Sequence, residues 1–369
     1  MSFATTTERY EHWLDAKLDI NRDELKEKRR RMQEDEHSFL RGTFYRWAVL
    51  WQKHCPECDR APSVLGVGDL HVENFGTWRD ADGRLAWGVN DFDEACTLPY
   101  TNDLVRLATS AILALSEANR RKLTVRTTEE ICNSILAGYR EGLEHPEPFV
   151  LAERHAWLRH IVAAMFEPKN GDGKSRYTRF IEQMSSLPPA TRVKGEVAEI
   201  LRDAFPRPIP VYALGHRSAG LGSLGRQRFT AVANDWYGGI LVREVKAVTT
   251  SSWLWALGQG SQTTIHYNRI IKAALRAPDP TLQVRGGWVI RRLAPDVGKV
   301  ELQDMPLDTG EDLLRAMGKE TANVHAPTGE SLKAVLKDLD QRPPTWLADV
   351  AVEMRQRIRK DWEELKDAG

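Results

Sequence analysis

Two polar stretches carry the residue types from which a metal-phosphate site is built. One is Gly68-Asp69-Leu70-His71-Val72-Glu73-Asn74-Phe75-Gly76, and the other is Asn90-Asp91-Phe92-Asp93-Glu94. The connector, residues 77–89, reads as strand, Asp82-Gly83 turn and strand, so the two stretches sit at the ends of one hairpin. Carboxylates and amides gathered there suit Mg²⁺, which takes hard oxygen ligands, one or two from protein and the rest from water and phosphate. On an extended segment Asp91 and Asp93 share a face, so both can approach one cation. A further acid, Asp103, heads an apolar helix and is placed to accept bonds from loop backbone.

Several elements must hold these residues in place. Helices are expected over residues 7–20 and 22–54, the second capped by Asn21 with Glu24 reaching back to it. Within the second, the basic run 26–31 is interspersed with acids and reads as a solvated face. Pro56 and Pro62 end that block, and residues 64–67 form a short strand entering the first polar stretch. Helices then follow at 104–118, 128–143, 151–166, 176–182 and 193–204, with a surface turn at 170–174. The proline-rich 206–210 marks a lobe boundary. Beyond it the period shifts to that of strands, at 211–214, 227–234, 240–245, 284–293 and 299–302. This is a small, mainly antiparallel sheet with one helix inserted, followed by helices at 310–326, 333–340 and 346–365.

The first turn of that sheet is Gly220-Leu221-Gly222-Ser223-Leu224-Gly225. A dinucleotide loop of this spacing requires a helix directly after it, and here residues 226–232 read as strand. A glycine loop between two strands can instead lay backbone N–H groups over phosphates. Lys246 ends the next strand.

The ordered set Gly68-Asp69-Leu70-His71-x-x-Asn74, then Asp91-Phe92-Asp93, then Asn102-Asp103-Leu104 resembles the aminoglycoside and choline kinase branch of the protein-kinase-like fold. The longer strings, with Val72-Glu73 and Phe75-Gly76 in the first and Asn90 to Ala95 in the second, are closer still to the bacterial domain-of-unknown-function family numbered 2252, grouped with that fold. The resemblance spans about residues 39 to 330. It implies an α+β, protein-kinase-like fold of two lobes, a small antiparallel sheet lobe and a larger helical lobe. It further implies that Asp69 orients or deprotonates an acceptor hydroxyl and that Asn74 and Asp91, with Asp93 beside them, hold Mg²⁺. Gly220, Gly222, Ser223, Gly225 and Lys246 would hold the phosphates of ATP. His71 either contacts substrate or phosphate, or braces its loop through a backbone carbonyl.

Two departures accompany the resemblance. In an ordinary kinase the glycine loop and lysine precede the catalytic loop, whereas here they follow it, so the fold is expected to be circularly permuted. The corresponding division is an N-terminal helical segment 1–60, a helical lobe 61–205 with the catalytic and metal loops, a β-rich phosphate lobe 206–305, and C-terminal helices 306–369 packing on the helical lobe. The helix after Lys246 should also carry a glutamate to pair with it, yet residues 251–276 contain no Asp or Glu.

Composition narrows the remaining choices. The 369 residues suffice for two lobes with sizeable cores. Lys+Arg and Asp+Glu balance at 52 each, giving no net field to recruit nucleic acid or anionic membrane. No run of about 18 apolar residues occurs, and the N-terminus lacks the layout of a secretory signal. Four cysteines in such a chain make no disulfide framework, and Cys55-Pro56-Glu57-Cys58 lacks a second pair for zinc. The expectation is a cytoplasmic protein acting on a nucleotide and an unidentified small-molecule or protein acceptor, without nucleic-acid or membrane partners. Three functions compete. They are an ATP- and Mg²⁺-dependent phosphotransferase, or a nucleotidyl transferase on the same parts; a metallophosphoesterase, whose further signatures are absent; and a catalytically silent nucleotide-binding or scaffold protein, as the missing helix acid suggests.

Overall fold

In the computed structural model, residues 1–117, 127–151, 154–166, 174–191, 193–206, 212–298, 310–326 and 330–368 are described. Among these residues the chain is mixed α and β, with three small sheets whose pairings are all antiparallel. The expected hairpin forms from β2 (Phe75–Arg79) and β3 (Leu85–Val89), with Phe75 opposite Val89. Its turn is fixed by Asp80, whose carboxylate accepts from the backbone of Asp82 at 3.0 Å and of Arg84 at 2.9 Å. The short β1 (Ser63–Gly66) pairs with β4 (Cys96–Pro99), and β5 (Phe149–Val150) extends the hairpin sheet along β3.

The third sheet has five strands in the order β6-β7-β8-β10-β9. They are β6 (Ala213–His216), β7 (Arg228–Trp236), β8 (Gly239–Ala247), β9 (Gln283–Arg285) and β10 (Trp288–Leu293). Period-2 alternation gives this sheet two unlike faces. Phe229, Ala231, Val245, Ala247 and Ile290 bury one face against Val197, Ile200 and Leu201 of helix Gly195–Asp203. Arg228, Glu244, Lys246 and Arg291 fall on the other. Register sets Arg228 opposite Lys246 and Arg291 opposite Glu244.

A larger core runs from Phe3 and Tyr10 through Trp47, Trp51 and Leu104 to Leu347 and Met354, so N- and C-terminal helices pack in one cluster. Helix Gly310–His325 lies against helix Thr128–Glu144 so closely that a Cβ on Gly138 would stand 1.8 Å from the carbonyl oxygen of Arg315. Larger side chains there would force the helices apart.

Several sequence expectations are corrected. The helix expected over 22–54 is three, Arg22–Glu34, Glu36–Gly42 and Phe44–His54, because Asp35 adopts extended backbone and caps the second by accepting from Ser38. Asn21 caps as expected, accepting from Asp23 and Glu24 backbone, but the Glu24 carboxylate turns to Gly225, His216 and Ser218 instead of closing a capping box. The single helix expected inside the sheet is two short ones, Ser252–Ala256 and Tyr267–Ala273. The strand expected over 284–293 breaks at Gly286-Gly287, both at positive φ, into β9 and β10. The strand at 299–302 and the turn residues 170–173 lie outside the described residues.

Helix Gly310–His325 also braces the hairpin. Glu320 is buried and accepts from the backbone of Val89 at 3.2 Å and from Asn323 Nδ2 at 3.1 Å. Burial pushes its pKa up to about 7, against the pull of Arg276. A carboxyl with a raised folded-state pKa contributes its full stability below its unfolded value and loses it as pH rises through about 7. We therefore expect Glu320→Gln to melt above the wild type at pH 8 and to lose that advantage at pH 5. Calorimetric melting curves of both proteins across this range test it. A constant gap between them rejects the assignment.

Candidate functional site

The first polar stretch is held as a rigid loop from behind. Asp103 Oδ2 and Oδ1 accept from the backbone N–H groups of Val67 at 2.7 Å and Gly68 at 2.9 Å. Asp103 is itself fixed by His325 Nε2 at 3.0 Å, and Tyr139 stands 2.8 Å from the other ring nitrogen. The backbone of Gly68 has φ +78°, and a Cβ there would meet the carbonyl oxygen of Glu94 at 2.4 Å, so glycine is required. Both polar stretches therefore touch through backbone at this point.

Asp69 projects forward from this support. Its Oδ1 accepts from Arg106 Nε at 2.9 Å and also from Nη2. Arg106 is wholly buried, lies 5.0 Å from the ring centres of both Phe44 and Trp47, and donates to the carbonyl of Leu40 at 2.9 Å. Burial raises the pKa of Asp69, and Arg106 offsets part of that rise. Its Oδ2 points toward the glycine loop, where a Cβ on Gly222 would be 3.5 Å away. Asn74 joins the two stretches, since its Nδ2 donates to the carbonyls of Asp69 at 3.2 Å and Asp91 at 3.0 Å.

Lys246 reaches this constellation from β8. Its Nζ lies 2.7 Å from Asp91 Oδ2 and 2.7 Å from Asp93 Oδ2. The lysine thus takes its acidic partners from the hairpin end and not from residues 251–276. Burial works against ionisation of both carboxyls. Lys246 and Arg291 overcome it at Asp91, which is held well below the usual carboxylate range, while the charge of Asp91 helps push Asp93 up to about 6. Asp93 Oδ1 is buried without a hydrogen-bond partner. Two carboxylates that share one ammonium are close enough to share a cation, and this donor set fits the one or two carboxylates Mg²⁺ takes. Among the described residues no three His, Cys, Asp or Glu side chains converge as an all-protein metal site.

Glu94 closes the cleft at its inner end. Its carboxylate accepts from Arg226 at 3.1 Å, Ser251 at 3.0 Å, and the backbone and hydroxyl of Ser252 at 2.6 and 2.9 Å. It thereby links the hairpin to the five-stranded sheet and to the start of helix Ser252–Ala256.

The glycine loop joins β6 to β7 with a short 3₁₀ turn at Leu221–Ser223 and no helix after Gly225. Asp69, His71, Asn74, Asp91, Asp93, Gly220, Gly222 and Ser223 all line one cavity of about 310 Å³. Gly225 turns away. Its N–H donates to Glu24 at 3.2 Å and its carbonyl accepts from Asn21 at 2.8 Å. Ser223 Oγ accepts from Arg228 Nη2 at 2.8 Å. Lys28, within the run expected to be a solvated face, donates to the carbonyl of Gly222 at 2.9 Å.

The sequence reading missed a cluster of arginines. Glu244 is wholly buried and accepts from Arg217 at 2.7 Å, from Arg228 at 2.6 Å, and from Arg291 Nη2 at 2.6 Å. All three arginines line the cavity. Burial opposes the charge of Glu244, but these guanidiniums hold its pKa far below normal. The signal was present as charged residues alternating along strands, Arg226-x-Arg228 and Glu244-x-Lys246. The four cysteines are buried and free.

Residues 21–186 and 212–368 match the family described as "Uncharacterized protein conserved in bacteria (DUF2252)". No curated protein and no solved structure matches the chain.

Removing the carboxylate from this cluster strands three buried or half-buried cations. Glu244→Leu is expected to cost about 3–5 kcal/mol of unfolding free energy, and Glu244→Gln less, because an acceptor remains. Urea unfolding followed by circular dichroism measures both. A loss below about 1 kcal/mol for the leucine variant would show that the charges are matched elsewhere.

Proposed function

Because the chain belongs to the bacterial DUF2252 family, for which the family description states no activity, we propose a function from the cleft itself. The protein is an ATP- and Mg²⁺-dependent phosphotransferase of permuted, protein-kinase-like architecture, acting on a hydroxyl of a small molecule or protein. The observation that carries this reading is the position of Lys246 Nζ, 2.7 Å from both Asp91 and Asp93, buried behind these two carboxylates, which line a cavity together with the glycine loop from a distant part of the chain.

Each residue then has a task that its surroundings suit. Asp69 receives and orients the acceptor hydroxyl. Arg106 fixes one oxygen of its carboxylate and leaves the other facing the glycine loop. Burial raises the proton affinity of Asp69, as a general base requires. Asn74 keeps the loops of Asp69 and Asp91 in register. Asp91 and Asp93 would hold Mg²⁺, which supplies neutralisation of developing phosphate charge. Lys246 sets the spacing of those carboxylates and offers its charge to the phosphates. Phosphoryl transfer asks little covalent chemistry of a protein, so fixed geometry and charge suffice. The acid missing from residues 251–276 had favoured a silent nucleotide-binding protein. The Asp91–Lys246–Asp93 arrangement gives the lysine acidic partners from the hairpin end instead, which supports the active reading. A cytoplasmic location goes with this reading. Four free thiols suit a reducing compartment, and among the described residues no helix is long and apolar enough to cross a membrane.

ATP with Mg²⁺ should raise the melting temperature by mass action. Asp91→Asn should lower ATP turnover by roughly 100-fold or more and weaken its Mg²⁺ dependence. Lys246→Ala should weaken nucleotide binding as well, since it also leaves two adjacent carboxylates unpaired. The readouts are thermal shift, titration calorimetry and ATP consumption against a metabolite and protein panel, with mass analysis of products. Binding without turnover would favour the silent protein. Transfer of nucleotide mass to an acceptor would favour nucleotidyl transfer. Flat calorimetry at millimolar ATP would end the nucleotide reading.

A further inference from the structure

We propose that Arg217, Arg228 and Arg291 form a polyphosphate seat, so that the cleft selects its donor by phosphate and not by nucleobase. The inference rests on the phosphotransferase reading only in assigning that polyphosphate to the donor. The seat itself is argued from the arginines.

Three guanidiniums converge on one carboxylate. Three positive charges thus face one carboxylate on a sheet face that borders a cavity, and the further acid that bears on Arg291, Asp91, is shared with Lys246. Glu244 is wholly buried behind them and occupies only part of their donor capacity. A guanidinium carries five N–H donors in a planar fork. Arg217 and Arg291 keep 21% and 22% of their side chains exposed while lining the cavity. Arg217 Nε is buried without a hydrogen-bond partner. Forks with spare donors at a cavity wall match the bidentate geometry of phosphate oxygens. Arg228 connects this seat to the glycine loop through Ser223, so the anion would lie between the loop and the arginines.

The seat offers a base no ring to stack on. Nucleobases take flat apolar or aromatic walls. No Phe, Tyr or Trp side chain is among the cavity-lining residues described, and the apolar lining is aliphatic, with Val67, Leu221, Leu293 and Val297. In this arrangement Glu244 is a positioning residue, which fans the three arginines into the cavity by holding their inner N–H groups.

The test is binding of inorganic triphosphate, ATP, AMP and adenosine to the full chain, by calorimetry and thermal shift, with Mg²⁺ and with chelator. Triphosphate is expected to bind within about tenfold of ATP, to retain affinity in chelator, and to weaken steeply with salt, whereas adenosine does not bind. Arg291→Gln and Arg217→Gln, each leaving Glu244 with two arginines, should weaken triphosphate by at least about tenfold. Arg285→Gln, at an exposed pair with Asp203, should leave it unchanged. If ATP and AMP bind equally and triphosphate does not, recognition lies on the base and the seat is refuted, while the phosphotransferase reading stands. If triphosphate binds through these arginines but ATP is never turned over, the seat stands and that reading falls. Binding of triphosphate that is indifferent to both arginine variants also refutes the seat.

Discussion

The buried carboxylate of Glu94 is the interaction on which the assembly of this cleft depends. It takes donors from groups 132 and 158 residues further along the chain. A desolvated carboxylate with a free lone pair would be costly, and here both oxygens are filled. The residue also fixes the backbone that Gly68 approaches, so the metal-type loop and the sheet cannot shift independently. Breaking it would leave Arg226 buried with the longer contact to Asp93 at 3.5 Å and the Tyr10 side chain.

Charge is the organising theme of the interior between hairpin and sheet. Asp69–Arg106, Asp91–Lys246–Asp93, Glu94–Arg226 and the Glu244 cluster stand side by side. Such pairs rarely add net stability over apolar packing, so their density is hard to explain by folding alone. They make sense as a preorganised field, in which dipoles and charges are fixed before any ligand arrives. The sheet's outer face shows the contrast. There the same strands pack Val245 and Ile290 on the apolar side of helix Gly195–Asp203, and an arginine on that face, Arg243, lies over the Phe205 ring and donates to the Ala204 carbonyl.

Much of this was legible from local pattern. The Asp82-Gly83 turn and flanking alternation specified the hairpin, and therefore the meeting of Asn74 with Asp91. Asp103 was readable as a brace because an acid at the head of an apolar helix has loop backbone before it. Arg106 lies three residues on, hence on the same helix face, and was within reach of the same argument. What escaped were pairings that depend on register and tertiary contact. Glu24 has a capping-box position, but distant donors at His216 and Gly225 outcompeted its own helix. Arg291 became a partner of Glu244 only because β10 lies beside β8, which no local spacing encodes. The division of the segment after Lys246 into two short helices escaped for a similar reason, since the Glu94 carboxylate anchors the first of them.

The separation of Lys246 from Asp91 by 155 residues has a consequence for the biosynthesis of the protein. At bacterial elongation speeds the ammonium emerges from the ribosome roughly 8 to 30 s after the carboxylates it will join. Through that interval Asp91 and Asp93 lack the lysine counter-charge, and the bond from Asn74 Nδ2 to the Asp91 carbonyl is among the few contacts that can order their loop. The loop–helix scaffold around Asp103 can assemble only in part, because His325 is also still unmade. The N-terminal half therefore emerges before both the sheet that supplies Lys246 and the helix that supplies His325, and its native contacts are of long sequence range.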